Sequence, residues 1–479
     1  MQDGAKLGKR TEALGSAPLG PLLVRLSIPG IVGMLVMTLY NVVDTFWVAG
    51  LPYGPRAIAA LTVLFPLQMV AGALGIGTGV GVASLVARRF GEKRLEQVND
   101  VAGNAVAFPL LSGSVLAVVS LIVPTWLVTL FGATEEIRDL SVAYLTIVAL
   151  GYPFLLFNMT VNGLYRGAGN TLMPMIVMAS SALLNLVLDP LLIYGVGPIP
   201  QLGVRGAAIA TVISQVAGFL VSAGYLWSGR SGYRVKASNV RLRAAVLRDI
   251  AQVGAPAFAM QLATSLGAAV FNWLLAGYGA MALAAYGLTF RMMMLVFPLI
   301  AGVRHGLLPI VGYNFGAGQY RRMWQAFVLA ATRVGALALA LAALMWISAP
   351  QIVRIFTQEA ELVGLAQMGL RTILTLMCLG AVQMLAVATL QGMGMGPQAM
   401  VLTLVRQPFT VVPAGILLSS WYGLQGAFAA YPLADLLSVS VTLTYLWVVH
   451  KRYRVDRPRP EAVVPATPAA AAGQASGET

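Results

Sequence analysis

Charge is what this 479-residue chain lacks most: only 10% of its residues are Asp, Glu, Lys or Arg, against 58% hydrophobic. A soluble globular chain carries about 25% charged residues, so about half the usual water-facing surface is missing. An ordinary cytosolic enzyme is excluded. Cysteine is nearly absent, and the single Cys378 excludes disulfides, thiolate zinc sites and iron–sulfur clusters within one chain. Two histidines, His305 and His450, leave little for metal-dependent chemistry. Acids are also scarce, 17 against 31 Lys and Arg, for a formal net charge of +14. The bases fall between apolar runs, as in cytoplasmic loops of membrane proteins, so no nucleic-acid partner is expected.

Long apolar runs are what the chain has in plenty. At about 20 residues per span plus short loops there is room for ten to fourteen helices. Twelve runs can be marked, at 23–50, 57–86, 102–130, 138–163, 172–196 and 203–228, then at 249–279, 281–312, 324–356, 362–391, 397–420 and 424–449. The first is too long and too late for a secretory leader, and no small-residue cleavage site closes it, so it is expected to stay in the protein. Bases gather in alternate loops: Lys6, Lys9 and Arg10; Arg88, Arg89, Lys93 and Arg94; six between Arg230 and Arg248; Arg321 and Arg322; Lys451, Arg452 and Arg454. The intervening loops are poor in bases, and two are acidic (Glu135, Glu136, Asp139; Glu359, Glu361). Positive-inside placement then puts both termini in the cytoplasm, and an even number of spans requires them to share a side.

The two halves repeat. Phe90-Gly91 matches Phe315-Gly316, Phe131 matches Phe356, Glu136 matches Glu361, and Gly167 and Gly169 match Gly392 and Gly394, all 225 residues apart. Gly203-x-x-Gly206-Ala207 matches Gly423-x-x-Gly426-Ala427 at an offset of 220. The expected fold is an all-α integral membrane protein of twelve transmembrane helices in two pseudo-symmetric six-helix lobes, with a site near their interface. Its divisions are a loose cytoplasmic N-terminal arm (1–22), an N-lobe (23–228), a basic cytoplasmic linker (229–248), a C-lobe (249–450) and a cytoplasmic tail (451–479). From Arg457 onward the tail is rich in Pro and Ala and is expected to be disordered.

Of the acids, Asp44, Asp189 and Asp435 lie inside apolar runs. An ionised carboxylate within a membrane costs from about 2.5 to over 10 kcal/mol, so these residues must face protein or water. At 1.5 Å per residue, Asp44 and Asp189 lie about 9 and 10 Å inside the outer ends of their helices, and Thr211 about 12 Å down from the outer side. Asn185 is four residues before Asp189, on the same face and one turn deeper. Two carboxylates, an amide and a hydroxyl therefore share one layer and can converge. Binding H⁺ or Na⁺ would relieve both burial and mutual repulsion, and oxygen ligands from Asp44, Asn185, Asp189 and Thr211 suit Na⁺ as well as a proton. The plainer reading makes Asp189-Pro190 an N-cap restarting a broken helix. Burying two acids without basic partners is hard to justify structurally, which favours the functional one.

Other positions carry weaker signals. Asp435, about 17 Å below the outer end of its helix, can pair with Arg291, Arg304 or Arg406. Tyr40, Phe46 and Trp47 flank Asp44, and Met292, Met293 and Met294 follow Arg291. Adaptable methionines suit varied apolar ligands, though core or lipid contact is the simpler reading. Gly75-Ile-Gly77-Thr-Gly79-Val-Gly81 resembles a phosphate loop only superficially, and inside an apolar run it implies close helix packing. His305, beside Arg304, reads as a satisfied polar residue.

With these residues in view, the chain resembles the multidrug and toxic compound extrusion (MATE) family across all twelve runs. The resemblance rests on Pro29 through Gly50, ending Tyr40-Asn-Val-Val-Asp44-Thr-Phe-Trp-Val-Ala-Gly50. It extends to Arg166-Gly-Ala-Gly-Asn170-Thr, Asn185-Leu-Val-Leu-Asp189-Pro, Gly203-Val-Arg-Gly-Ala-Ala-Ile-Ala-Thr211 and Asn314-Phe-Gly-Ala-Gly318-Gln. It implies a V-shaped pair of lobes in the plasma (inner) membrane and antiport of drugs or toxic metabolites against H⁺ or Na⁺. It further implies no cofactor beyond the coupling ion and a monomer in the lipid bilayer. By the family's pattern Asp44, Asn185, Asp189 and Thr211 form the N-lobe cation site. Substrate contacts are expected at Tyr40, Asp44, Asp189 and Met292, and Pro29 marks where the first helix can bend. One departure stands out: NorM-type and eukaryotic members carry an acid in the seventh helix, where this chain has Gln261. A C-lobe polar site is thus reduced to Gln261, Arg291 and Asp435, and the chain looks nearer the DinF-like branch. The rival functions are a flippase for lipid-linked precursors, with Arg291, Arg304 and Arg406 as its basic pocket, and, last, a membrane enzyme.

Overall fold

In lipid every backbone N–H and C=O must be bonded within its own segment, so apolar runs of this length have to be helices. Residues 2–198, 200–294 and 296–456 are described by a computed structural model, and among them no strand occurs. The first half comprises α1 (Gln2–Ser16), α2 (Leu19–Ala49), α3 (Gly54–Gly91), α4 (Leu95–Ile122), short α5 (Pro124–Leu130), α6 (Glu135–Ala149), α7 (Tyr152–Gly167), α8 (Leu172–Tyr194) and α9 (Val204–Trp227). The second comprises α10 (Ala244–Ala276), α11 (Ala280–Met293), α12 (Phe297–Gly316), α13 (Tyr320–Ile347), short α14 (Ala349–Phe356), α15 (Ala360–Leu374), α16 (Met377–Gly392), α17 (Gly396–Arg406) and α18 (Val412–Arg452).

Three spans are broken rather than straight: α6 and α7 meet at 51°, α11 and α12 at 45°, and α15 and α16 at 50°. The first break falls at Gly151 and Pro153, where proline cannot continue the preceding helix. A π-helical turn, Gln407–Val411, joins α17 to α18. Within α18, Gly423 takes φ 57° and ψ −143° and separates two spans. With each bent pair as one span and that division made, the twelve spans expected from the sequence are all present.

The internal repeat is visible in the backbone itself. Leu95 and Tyr320, Pro124 and Ala349, Glu135 and Ala360, and Tyr152 and Met377 open successive helices, each pair 225 residues apart. Gly203 and Gly423, matched at the shorter offset, share φ 57°. The chain is therefore two six-helix lobes of one design, each with its own apolar core.

Three polar segments are better ordered than composition suggests. Residues 2–16, expected as a loose arm, form α1, with Leu14 only 1% exposed. The Asn314 amide donates to the Leu14 carbonyl at 2.9 Å, and the Arg322 guanidinium caps the Ala17 carbonyl. Part of the expected linker, from Ala244, already belongs to α10. The rest is strapped down: the Arg234 and Arg243 backbone N–H groups donate to Asn99 and Asn104 at 3.0 and 2.9 Å, and the Tyr233 hydroxyl to the Leu164 carbonyl at 2.8 Å. Past Arg452, the Asp456 carboxylate accepts from the Arg321 N–H at 2.8 Å. The expected disorder from residue 457 lies outside the described residues.

The lobes interlock through the halves of α2, α3, α10 and α12 nearest the basic loops. A methyl group on Gly77 would lie 2.7 Å from the Gly254 carbonyl oxygen, and one on Gly91 2.1 Å from that of Tyr313. The glycine-rich stretch of α3 is thus a packing device. The Arg89–Asp249 ion pair, 2.9 Å long, crosses the same seam.

Candidate functional site

Packing supplies the direction that depth alone cannot. α2 lies against α8, and α8 against α9. Asp44 of α2 and Asp189 of α8 stand side by side within hydrogen-bonding reach, with Asn185 flanking Asp189. Asn185 and Asp189 are each 1% exposed. One turn before Asp44, the Tyr40 hydroxyl lies beside that of Thr211. Thr211 directs its own proton to the Ala207 carbonyl at 3.0 Å. The i, i+4 spacings put Tyr40 and Asp44 on one helix face and Asn185 and Asp189 on another. The tertiary fold turns those faces toward each other.

The helix-restart reading of Asp189 does not hold, because α8 runs unbroken through Pro190. The carboxyl sits in mid-helix, where it caps nothing. Ionised carboxylates are acceptors only, so the two side by side repel unless something positive joins them. Asp44 Oδ1, both Asp189 oxygens and both Asn185 amide atoms are buried with no hydrogen-bond partner among the described residues. Each unsatisfied group costs about 1–3 kcal/mol, more when charged. Carboxyl, amide and hydroxyl oxygens are the donors that hard cations take. The arrangement therefore fits a proton shared between the two acids, or Na⁺ held by Asp44, Asn185, Asp189 and Thr211.

Two neighbours went unnoticed in the sequence. Tyr144 of α6 is buried in electrostatic contact with Asp44 and Tyr40, and its hydroxyl lies near Gln68 of α3. Gln68 did carry a signal, a lone amide in the middle of an apolar run. Tyr144 carried none, since an aromatic residue in such a run reads as core.

The C-lobe set does not assemble. Arg406 Nε donates to Asp435 Oδ1 at 2.6 Å, with the Asp435 side chain 4% exposed. Of the three arginines considered, Arg406 is the partner. Arg291 is exposed, while Met292, one residue on, is 1% exposed in the C-lobe core. Consecutive helical residues point about 100° apart, so one faces out and the other in. Met292 packs in the core instead of facing a substrate. Gln261, half-buried on α10, has no bond to Asp435. Asp435→Asn should therefore act on stability: it takes the counter-charge from the Arg406 side chain, 32% exposed, at a cost of about 1–3 kcal/mol. A thermal melt of the purified variant should show the loss, and an unchanged melt would argue against this structural role.

The MatE family model matches residues 29–191 and 256–416, one segment in each lobe. The chain is 26% identical over 435 residues to the multidrug export protein MepA of Staphylococcus saprophyticus, covering 91% of this chain and 95% of that protein. It is 29% identical over 434 residues to an FAD transporter of Shewanella oneidensis, covering 90% and 94%. Among solved structures, it superposes with a TM-score of 0.85 and 29% identity on an outward-facing multidrug resistance MATE family transporter of the MOP superfamily, covering 93% of this chain and 99% of that one. Twelve apolar helices in two repeated lobes, matched in both halves by one family model, make this multi-pass membrane protein a member of the MatE (MATE) family, a family of transporters and not of enzymes.

Proposed function

We propose that the chain is a secondary antiporter of the inner membrane that exports small amphipathic compounds, chiefly cations, in exchange for H⁺ or Na⁺. The observation that carries this reading is the base-free pair Asp44 and Asp189, side by side, with Asp189 buried, Asp44 half-buried and oxygens of both unpartnered. When ionised, the pair attracts a cationic drug, with Tyr40 at its edge. Uptake of H⁺ or Na⁺ from outside neutralises it, and the drug leaves outward. Coupling is competition for one negative charge while the lobes alternate between access states. The name of the staphylococcal relative supports the substrate class. Positive-inside loops put both termini and the interlocked seam on the cytoplasmic side. Pro29, inside an unbroken α2 one residue before the lobe contact at Gly30, is where that helix would bend.

The flippase reading needs Arg291, Arg304 and Arg406 in one basic pocket. Arg406 is neutralised by Asp435 and Arg291 is exposed, so nothing in the arrangement favours it. The deciding experiment is transport of one fluorescent cation by reconstituted protein under separately imposed pH and Na⁺ gradients. Uptake against concentration should follow one gradient and stop when it is dissipated. Transport indifferent to both gradients refutes antiport.

A further inference from the structure

Arg166, near the end of α7, and Arg304, on α12, belong to different lobes yet line one small cavity with His305, Val80, Ala83 and Leu308. The cavity lies in the apolar seam where Val80, Ala83, Val253, Ala257 and Leu308 pack across the lobes. Arg166 feels the positive charge of Arg304. Neither is matched by a carboxylate among the described residues, and Arg304 Nε is buried without a hydrogen-bond partner. His305 lines the same cavity and is not the satisfied polar residue expected: it makes no hydrogen bond among the described residues. By comparison, Arg406 has Asp435 and Arg89 has Glu92 and Asp249, whereas Arg88, also at the seam, has buried guanidinium nitrogens without a hydrogen-bond partner.

Two like charges facing each other across a low-dielectric seam push the lobes apart. The closed seam therefore needs a negative group between them. A guanidinium fork is built to bind carboxylate, phosphate or halide through charge-assisted hydrogen bonds. We infer that the Arg166–Arg304–His305 cavity is an anion site between the lobes, taking a small anion or the oxyanion group of a larger solute. The bound anion bridges α7 to α12 and holds the seam shut; it departs when the lobes part. This site is separate from the acid pair, so the inference stands whether or not Asp44 and Asp189 couple transport.

The test is a thermal melt of the purified full-length protein in a low-salt zwitterionic buffer, titrated with chloride, inorganic phosphate or phosphatidylglycerol. Wild-type protein should melt higher as the anion rises, with a logarithmic dependence on its concentration. Response to chloride or phosphate identifies a soluble anion, and response to phosphatidylglycerol alone identifies a lipid headgroup; either supports the site. Arg304→Gln should melt higher than wild type before any anion is added, because the repulsion is gone, and should bind the anion about 10- to 100-fold more weakly. Arg166→Gln, on the other lobe, should do the same and serves if the first variant does not fold. A wild type insensitive to all three anions, or variants with the full anion response, overturns the inference.

Discussion

Asp189→Asn, and separately Asp44→Asn, reduces ion-coupled export to background while leaving the protein folded. The substitution keeps the volume and shape of each side chain and removes only its capacity to alternate between charged and neutral. Stability should not fall, because each variant relieves repulsion between two acids that have no base beside them. The two residues act on one shared cation, so their effects should not add: the double variant is no worse than either single one. Drug-driven cation exchange in proteoliposomes, with circular dichroism of the same preparations, measures both halves of the expectation. Normal exchange in both single variants removes the basis of the proposed mechanism. Tyr40→Phe provides a graded comparison. It removes the hydroxyl beside Thr211 but no charge, and should weaken exchange without ending it.

Gly91→Val and Gly316→Val are expected to stop transport from the opposite direction, by wedging the seam. An added Cβ at Gly316 would lie 2.2 Å from the Arg88 carbonyl oxygen, and at Gly91 2.1 Å from that of Tyr313. Both obstacles are backbone and cannot swing aside. Overpacking of this kind costs about 1–3 kcal/mol, comparable with the few kcal/mol that separate two conformations in exchange. The population should therefore move away from the interlocked state. Spin labels at Arg94→Cys and Arg321→Cys in a Cys378→Ser background should report a longer, broader distance. Gly287→Ala, where nothing lies within 4 Å, is the control and should change neither distance nor transport. An unchanged distance with normal transport in the valine variants would show that the seam does not open there.

The N-lobe acids show how far spacing reaches. That Tyr40 and Asp44 share a face, and Asn185 and Asp189 another, follows from four residues making about one helical turn. That these faces meet depends on how α2, α8 and α9 pack, and the same linear pattern permits other rotations. Asp435 illustrates the other outcome. Three arginines were compatible with it by position, and the choice of Arg406 was made by the π-helical turn and the long α18 that follow it. α1 looked dispensable by composition and is ordered by a carbonyl accepting from Asn314, a contact 300 residues away along the chain.

By itself the sequence determined the membrane setting, the number of spans and the two-fold repeat. Hydropathy and glycine spacing are local properties, and lipid leaves a backbone no choice but helix. Only the tertiary structure decided which polar groups share a site and which arginines stand without an acid. Those are matters of helix rotation and of the approach of one lobe to the other, where contacts between residues hundreds of positions apart outweigh anything a neighbour in sequence can impose.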